Sequence, residues 1–198
     1  MRETRFNTNM FQAVVLVGGL GTRLGTVTRD VPKPLVEVGG RPFLDYILTK
    51  LDHFGFDEVI LLSGYKSEKI NELANRYQTH RMRVINVVEK EPLGTAGALL
   101  GAEKFLADQF LMMNGDSFFD FNWLDLVKLG VESNDISAAI ALLIQPKNTR
   151  ASTVEIRGES VIKFIAEPSA RKSALINGGV YWIKRKILSE IPTPPSSL

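Results

Sequence analysis

The stretch Ala13-Val14-Val15-Leu16-Val17-Gly18-Gly19-Leu20-Gly21-Thr22-Arg23-Leu24 constrains this chain more than any other. Its apolar run is too short for a helix and suits a strand of a parallel sheet covered on both faces. The glycines that follow lack Cβ. Their amides can therefore turn toward an anion and let a phosphate reach hydrogen-bonding distance of the backbone. Arg23 adds a planar fork of donors, and Lys33, framed as Pro32-Lys33-Pro34, adds a point charge on a stiffened segment.

Two familiar phosphate loops do not fit. A Walker A loop needs a lysine after its last glycine, but Thr26 follows Gly25. A dinucleotide fingerprint needs a third glycine where Leu24 stands, and the strand ending at Leu62-Ser63 brings no ribose-binding acid. A glycine turn with a solvated arginine is the plainer alternative for the bare Gly-Gly-x-Gly.

The remaining pattern is a β-α rhythm. Pro42 opens a helix whose Phe43, Leu44, Ile47, Leu48 and Leu51 recur at helical spacing up to Gly55, and 58–62 reads as a second strand. Ser67 opens a helix with Ile70, Leu73 and Tyr77 inward. Strand 84–88, a small-residue helix over 94–106 and strand 110–113 follow, then a helix capped by Asn122 and an apolar strand over 136–144. Beyond it, 153–156 and 161–165 flank Gly158 as a hairpin, and 179–183 is a further strand. Strands alternating with helices predict a Rossmann-like three-layer α/β/α fold: a mainly parallel sheet plus a small antiparallel hairpin part that covers the sheet's open end. Gly18, Glu89 and Asn114 all follow strands at the carboxyl edge, where open α/β sheets bind ligands.

With 198 residues, 44% hydrophobic and 23% charged, the composition is that of an ordinary globular domain with a substantial core. A net charge of +2 gives no sign of a nucleic-acid or membrane partner. The absence of cysteine rules out disulfides and thiolate zinc, and two histidines, His53 and His80, are too few for a histidine site, so any metal is held by oxygen. No signal-peptide core or run of ~18 apolar residues is present, so a cytoplasmic location is the default expectation.

Taken together, Leu16 to Leu24, Pro32-Lys33-Pro34-Leu35, Glu91-Pro92-Leu93-Gly94-Thr95-Ala96-Gly97, Asn114-Gly115-Asp116-Ser117 and Ile176-Asn177-Gly178-Gly179-Val180-Tyr181 resemble, in order, the signature of the sugar-1-phosphate nucleotidylyltransferases. Among subfamilies the chain is most similar to the D-glycero-α-D-manno-heptose 1-phosphate guanylyltransferases. The resemblance implies the nucleotide-diphospho-sugar transferase fold as a single domain over 1–198 that lacks the family's C-terminal end. It implies transfer of GMP from GTP to a sugar 1-phosphate with release of pyrophosphate. Magnesium is the implied cofactor, and a homo-oligomer stays open.

On this resemblance the nucleotide is held by Leu16, Gly18, Gly19, Gly21, Thr22, Arg23, Lys33, Glu89, Pro92, Gly94 and Thr95, and the sugar phosphate by Gly115, Ser117, Asn177 and Gly178. Arg23, Lys33 and Asp116 carry the chemistry, with Asp116 as a hard oxygen ligand for magnesium; a turn aspartate bonded to its own backbone is the plain alternative. Glu89 stands where thymidylyl- and uridylyl-transferring relatives often have an amide. A carboxylate only accepts, and guanine offers N1–H and N2–H₂ side by side. A solvated charge in Glu89-Lys90-Glu91 is the competing reading. Phe118, Phe119, Phe121 and Trp123 suit core packing better than stacking on a sugar.

Two departures count against full activity. Relatives usually supply a second metal-binding aspartate farther along, which this sequence lacks. Many also carry Glu-Lys-Pro where Ala166-Glu167-Pro168 stands, so the lysine position holds glutamate. They favour a nucleotide-binding or regulatory module with little turnover; a uridylyl- or other nucleotidylyltransferase acting on a different sugar is a further alternative. A glycosyltransferase using Asp116 and Asp120 as an acid pair leaves Arg23 and Lys33 unexplained.

Overall fold

The valine run forms the middle of a sheet. In the computed structural model, which describes residues 11–19, 31–77, 81–89, 94–146, 153–165 and 173–192, β1 (Gln12–Leu16) lies between two parallel neighbours. After it come a two-residue ladder of β2 (Glu37–Val38) and β3 (Arg41–Pro42), helix α1 (Phe43–His53), β4 (Glu58–Ser63) and α2 (Ser67–Arg76). The chain continues through β5 (Arg83–Val88), α3 (Gly94–Gly101), β6 (Gln109–Asn114) and α4 (Trp123–Glu132). Strands β7 (Ala138–Pro146), β8 (Thr153–Arg157), β9 (Ser160–Ile165) and β10 (Ser173–Lys184) complete it.

The strand order is β5-β4-β1-β6-β10-β8-β9, with β7 also paired to β10. The first four are parallel, and everything joined through β10 is antiparallel. Alternation of side chains across β1 divides the core in two. Ala13 and Val15 join Val59, Leu61, Leu111 and Met113 under α1, α2 and α4, whereas Val14 joins Ile60, Leu62 and Met112 under α3. Helices therefore cover both faces, as the rhythm requires. On α1, Leu44, Ile47, Leu48 and Leu51 are each at most 1% exposed, a burial that stabilises by about 1.5–3 kcal/mol per side chain.

Four details differ from expectation. Pro42 is the residue before α1, not its first, because it still pairs with Glu37 in the small ladder. The small-residue helix stops at Gly101 and hands over to a 3₁₀ turn, Glu103–Phe105. The last strand begins six residues earlier than periodicity indicates, at Ser173, because β7 pairs with it along that length and hides the polar interruption at Asn177-Gly178-Gly179. The hairpin extends the sheet's edge through β10 instead of capping its open end. Asn122 does cap α4, accepting from the Leu124 amide at 3.3 Å, and Gly158 turns the β8–β9 hairpin at φ +60°.

Candidate active site

The carboxyl ends of β1 and β6 meet closely. The Gly115 amide donates to the Leu16 carbonyl at 2.9 Å, and a Cβ on Gly115 would lie 2.7 Å from that same oxygen and from Val17 Cγ1. Only glycine lets the chain leave β6 so near β1. The next residue, Asp116, is thereby set at the edge, where its Oδ2 accepts from Lys33 Nζ at 2.6 Å. Lys33 reaches it from a 3₁₀ turn, Lys33–Leu35, entered through Pro32 and Pro34. Both side chains are partly exposed, 34% and 43%, so the pair is accessible to a ligand.

On the other side of β1 stands Glu89. Its amide donates to the Ser63 carbonyl at 2.7 Å, holding the residue at the end of β5 against β4. A Cβ on Gly18 would come 3.1 Å from Glu89 Oε2 and 3.4 Å from the Gly64 amide, so Gly18 and Gly64 together make room for the carboxylate. Its other oxygen, Oε1, is buried with no hydrogen-bond partner among the described residues. Burial holds the carboxyl above its ordinary range. A buried acceptor without a donor among the described residues, in a crevice beside a glycine loop, marks a candidate ligand site.

Across β6, β10 supplies the opposite wall. Gly179 has φ +73°, and a Cβ there would sit 2.8 Å from Asn114 Nδ2 and 3.0 Å from Ser117 Oγ. One on Gly178 would strike the Phe119 ring at 2.3 Å. Asn177 shapes this bend: its Oδ1 accepts from the Gly179 amide at 2.8 Å, and its Nδ2 donates to the Tyr181 hydroxyl. Both ends of the Asn177 amide therefore have partners within the strand, which gives it a turn-forming role beside the expected contact with sugar hydroxyls. Trp123 is 1% exposed, so it packs in the core and offers no stacking face.

The structure thus brings Leu16, Gly18, Lys33, Glu89, Gly115, Asp116, Ser117, Asn177 and Gly178 to one edge. Among the described residues nothing lies within 4 Å of a would-be Cβ on Gly19. Gly94, at φ +71°, begins α3 with Thr95 in its first turn. Gly21, Thr22, Arg23 and Pro92, and the Ala166-Glu167-Pro168 departure, lie outside the described residues. Of the two aspartates of the alternative acid pair, Asp116 is paired with Lys33 and Asp120 with Lys50. Sequence reasoning missed Gly64, although a glycine directly after a buried strand signals it, and it missed Lys50, which has no local signal.

Among the described residues no three metal-binding side chains gather in one place. Asp116 alone nevertheless suits magnesium, which is commonly held by one or two carboxylates together with substrate phosphates.

Comparison with known proteins gives the family. A family model described as nucleotidyl transferase matches residues 12–196. A D-glycero-alpha-D-manno-heptose 1-phosphate guanylyltransferase of Campylobacter jejuni is 36% identical over 179 residues, 90% of this chain and 78% of the relative. One of the same name from Aneurinibacillus thermoaerophilus is 38% identical over 180 residues, 89% and 76% of the two chains. Among solved structures, HddC from Yersinia pseudotuberculosis complexed with GMP-PN superposes with a TM-score of 0.81 at 31% identity, covering 95% of this chain and 83% of that one. With its glycine loop, cation and carboxylate on the carboxyl edge of a doubly covered sheet, the chain belongs to the nucleotidyl transferase family.

Proposed function

We propose that the chain transfers GMP from GTP to D-glycero-α-D-manno-heptose 1-phosphate, releasing pyrophosphate. The observation that carries this reading is the Lys33–Asp116 pair, set between Glu89 with Gly18 on one side and the Gly178-Gly179 bend on the other. The names of two relatives that are 36% and 38% identical to this chain over 179 and 180 aligned residues support the guanylyl group and the heptose.

The chemistry needs no base, because a sugar phosphate is already ionised at neutral pH. Its oxygen attacks the α-phosphorus of the nucleotide in line, the new P–O bond forms, and the bond to the β-phosphate oxygen breaks with its electron pair leaving on pyrophosphate. Lys33, with Arg23 and the glycine amides, stabilises charge on the α-phosphate and the leaving group. Asp116 would hold magnesium, whose charge, when bound, draws the two anions together. Glu89 accepts from guanine N1–H and N2–H₂. The reaction is proposed to take place in the cytoplasm; among the described residues no helix is long and apolar enough to cross a membrane.

The test is pyrophosphate release from GTP, ATP, UTP and CTP, each with magnesium and the heptose 1-phosphate. Release from GTP well above the other three is expected. Equal use of all four overturns the guanylyl assignment. GTP binding without release instead supports the nucleotide-binding module, which the glutamate at position 167 favours.

A further inference from the structure

Lys50 is a cation on the inward side of α1, and its surroundings are not those of a surface lysine. Its side chain is 15% exposed, and Nζ lies 4.5 Å from the centroid of the Trp123 ring, 5.0 Å from that of Phe118 and 5.6 Å from that of Phe54. The remaining direction is taken by Asp120, whose Oδ1 accepts from Nζ at 2.5 Å while most of that carboxylate stays in water. Three ring faces and one carboxylate surround the charge. An apolar residue would fill this space equally well, but it would not fix the rings by their faces or hold Asp120.

Phe118 and Asp120 belong to the segment that leaves β6 at Gly115, carries Asp116 and enters α4 at Trp123. That segment has little secondary structure of its own. Its far side is held by Phe119, whose ring occupies the space a Cβ on Gly178 would need and whose carbonyl accepts from Trp123 Nε1 at 3.1 Å. Its near side is held among the described residues by the Phe118–Trp123 ring contact and by two ion pairs, Lys50–Asp120 and Lys33–Asp116. We infer that Lys50 is a positioning residue: by gripping Phe118, Asp120 and Trp123 from α1, it fixes the 115–122 segment so that Asp116 faces Lys33 and the incoming phosphates. The inference rests on the proposed role of Asp116, and the lysine itself touches neither substrate nor metal.

Lys50→Met keeps the aliphatic stem and removes the charge; Lys50→Arg keeps the charge. Two readouts are needed. Amide hydrogen exchange on the unliganded protein is expected to speed up in 115–122 for Lys50→Met, with β1 and β4 unchanged and Lys50→Arg close to the parent. In turnover with GTP, magnesium and the heptose 1-phosphate, Lys50→Met is expected to raise the half-saturating magnesium concentration roughly 10-fold, as lost support of a ligand does, with KM for GTP unchanged and Lys50→Arg restoring most of the loss. Parental exchange in 115–122 for Lys50→Met overturns the inference. So does a uniform loss of stability and of every kinetic parameter that Lys50→Arg does not rescue, since that marks Lys50 as core packing only. A parent protein without pyrophosphate release defeats the proposed reaction, and the exchange comparison still decides the role of Lys50.

Discussion

Lys33 Nζ and Asp116 Oδ2 stand 2.6 Å apart although 83 residues separate them in sequence. The contact joins the segment after the glycine loop to the end of β6, and in the unliganded protein the two charges, proposed to serve phosphate and metal, neutralise one another. Being partly exposed, the pair adds little stability, about 0–1 kcal/mol. Lys33→Ala is therefore expected to melt within a few degrees of the parent while turnover falls on the order of 10²-fold. Thermal melts alongside pyrophosphate release measure both, and a large loss of stability with unchanged turnover would show the pair to be structural.

Asp116→Asn keeps the shape and loses the charge that a hard cation requires. The half-saturating magnesium concentration should rise at least ~10-fold, the lower end of what a missing metal-site partner costs. A magnesium titration of initial rates gives the value. An unchanged half-saturation would return Asp116 to the role of a turn residue.

Arg23 is expected to contribute mainly as charge moves onto the α-phosphate and pyrophosphate. Arg23→Ala should lower turnover by ~10²–10³, with circular dichroism and melting unaltered. Near-parental pyrophosphate release would remove Arg23 from the mechanism.

Glu89→Gln tests base reading and carries a pH signature. Loss of the carboxylate should erode the preference for GTP over UTP by about 1–3 kcal/mol, because guanine's paired donors then face an amide. A GTP preference untouched by the substitution would assign base reading to the backbone. Burial raises the folded carboxyl above its unfolded range, so the folded state holds a proton longer than the unfolded one. Stability is then lost as pH rises through that window. Glu89→Gln should accordingly melt above the parent at neutral pH, and the gain should vanish toward pH ~4, where the unfolded carboxyl also takes up a proton. Melts across that range without a pH-dependent difference would mean that Glu89 is solvated.

Two glycines separate folding from function. Among the described residues nothing lies within 4 Å of a Cβ on Gly19, so Gly19→Ala should leave stability within about 0.5 kcal/mol and lower turnover by keeping phosphate off the backbone. Gly115→Ala would set its Cβ 2.7 Å from the Leu16 carbonyl, and such overpacking costs about 1–3 kcal/mol. Equal melting of the two variants would refute this division.

What could be read in the sequence was what local chemistry determines. The valine run before Gly18, the spacing of Leu44, Ile47, Leu48 and Leu51, the Asn122 cap and the Gly158 turn each depend on near neighbours, and each stands in the structure as expected. Lys33 and Asp116 were singled out through family resemblance, but their direct pairing was not anticipated. The Gly18–Gly64 gap for Glu89, the cage around Lys50 and the full length of β10 were not legible, because partners distant in the chain make them. Asn177, Gly178 and Gly179 end a strand by local propensity, yet the ladder to β7 carries β10 across them with a shift of register.

That strand also sets a timetable. β10 is the only described element that pairs with both β6 and β7, and it is synthesised after both of them. Strands β1, β4, β5 and β6 are complete long before it and can assemble as neighbours, with Glu89 and Asp116 already on their edge. Until Gly178 and Gly179 arrive, however, Phe119 and Ser117 lack the β10 bend they lie against, and the far side of β6 is an unpaired edge open to other chains. A nascent chain is therefore most vulnerable to misassociation in the interval between synthesis of β6 and synthesis of β10, and a pause in translation there prolongs the hazard.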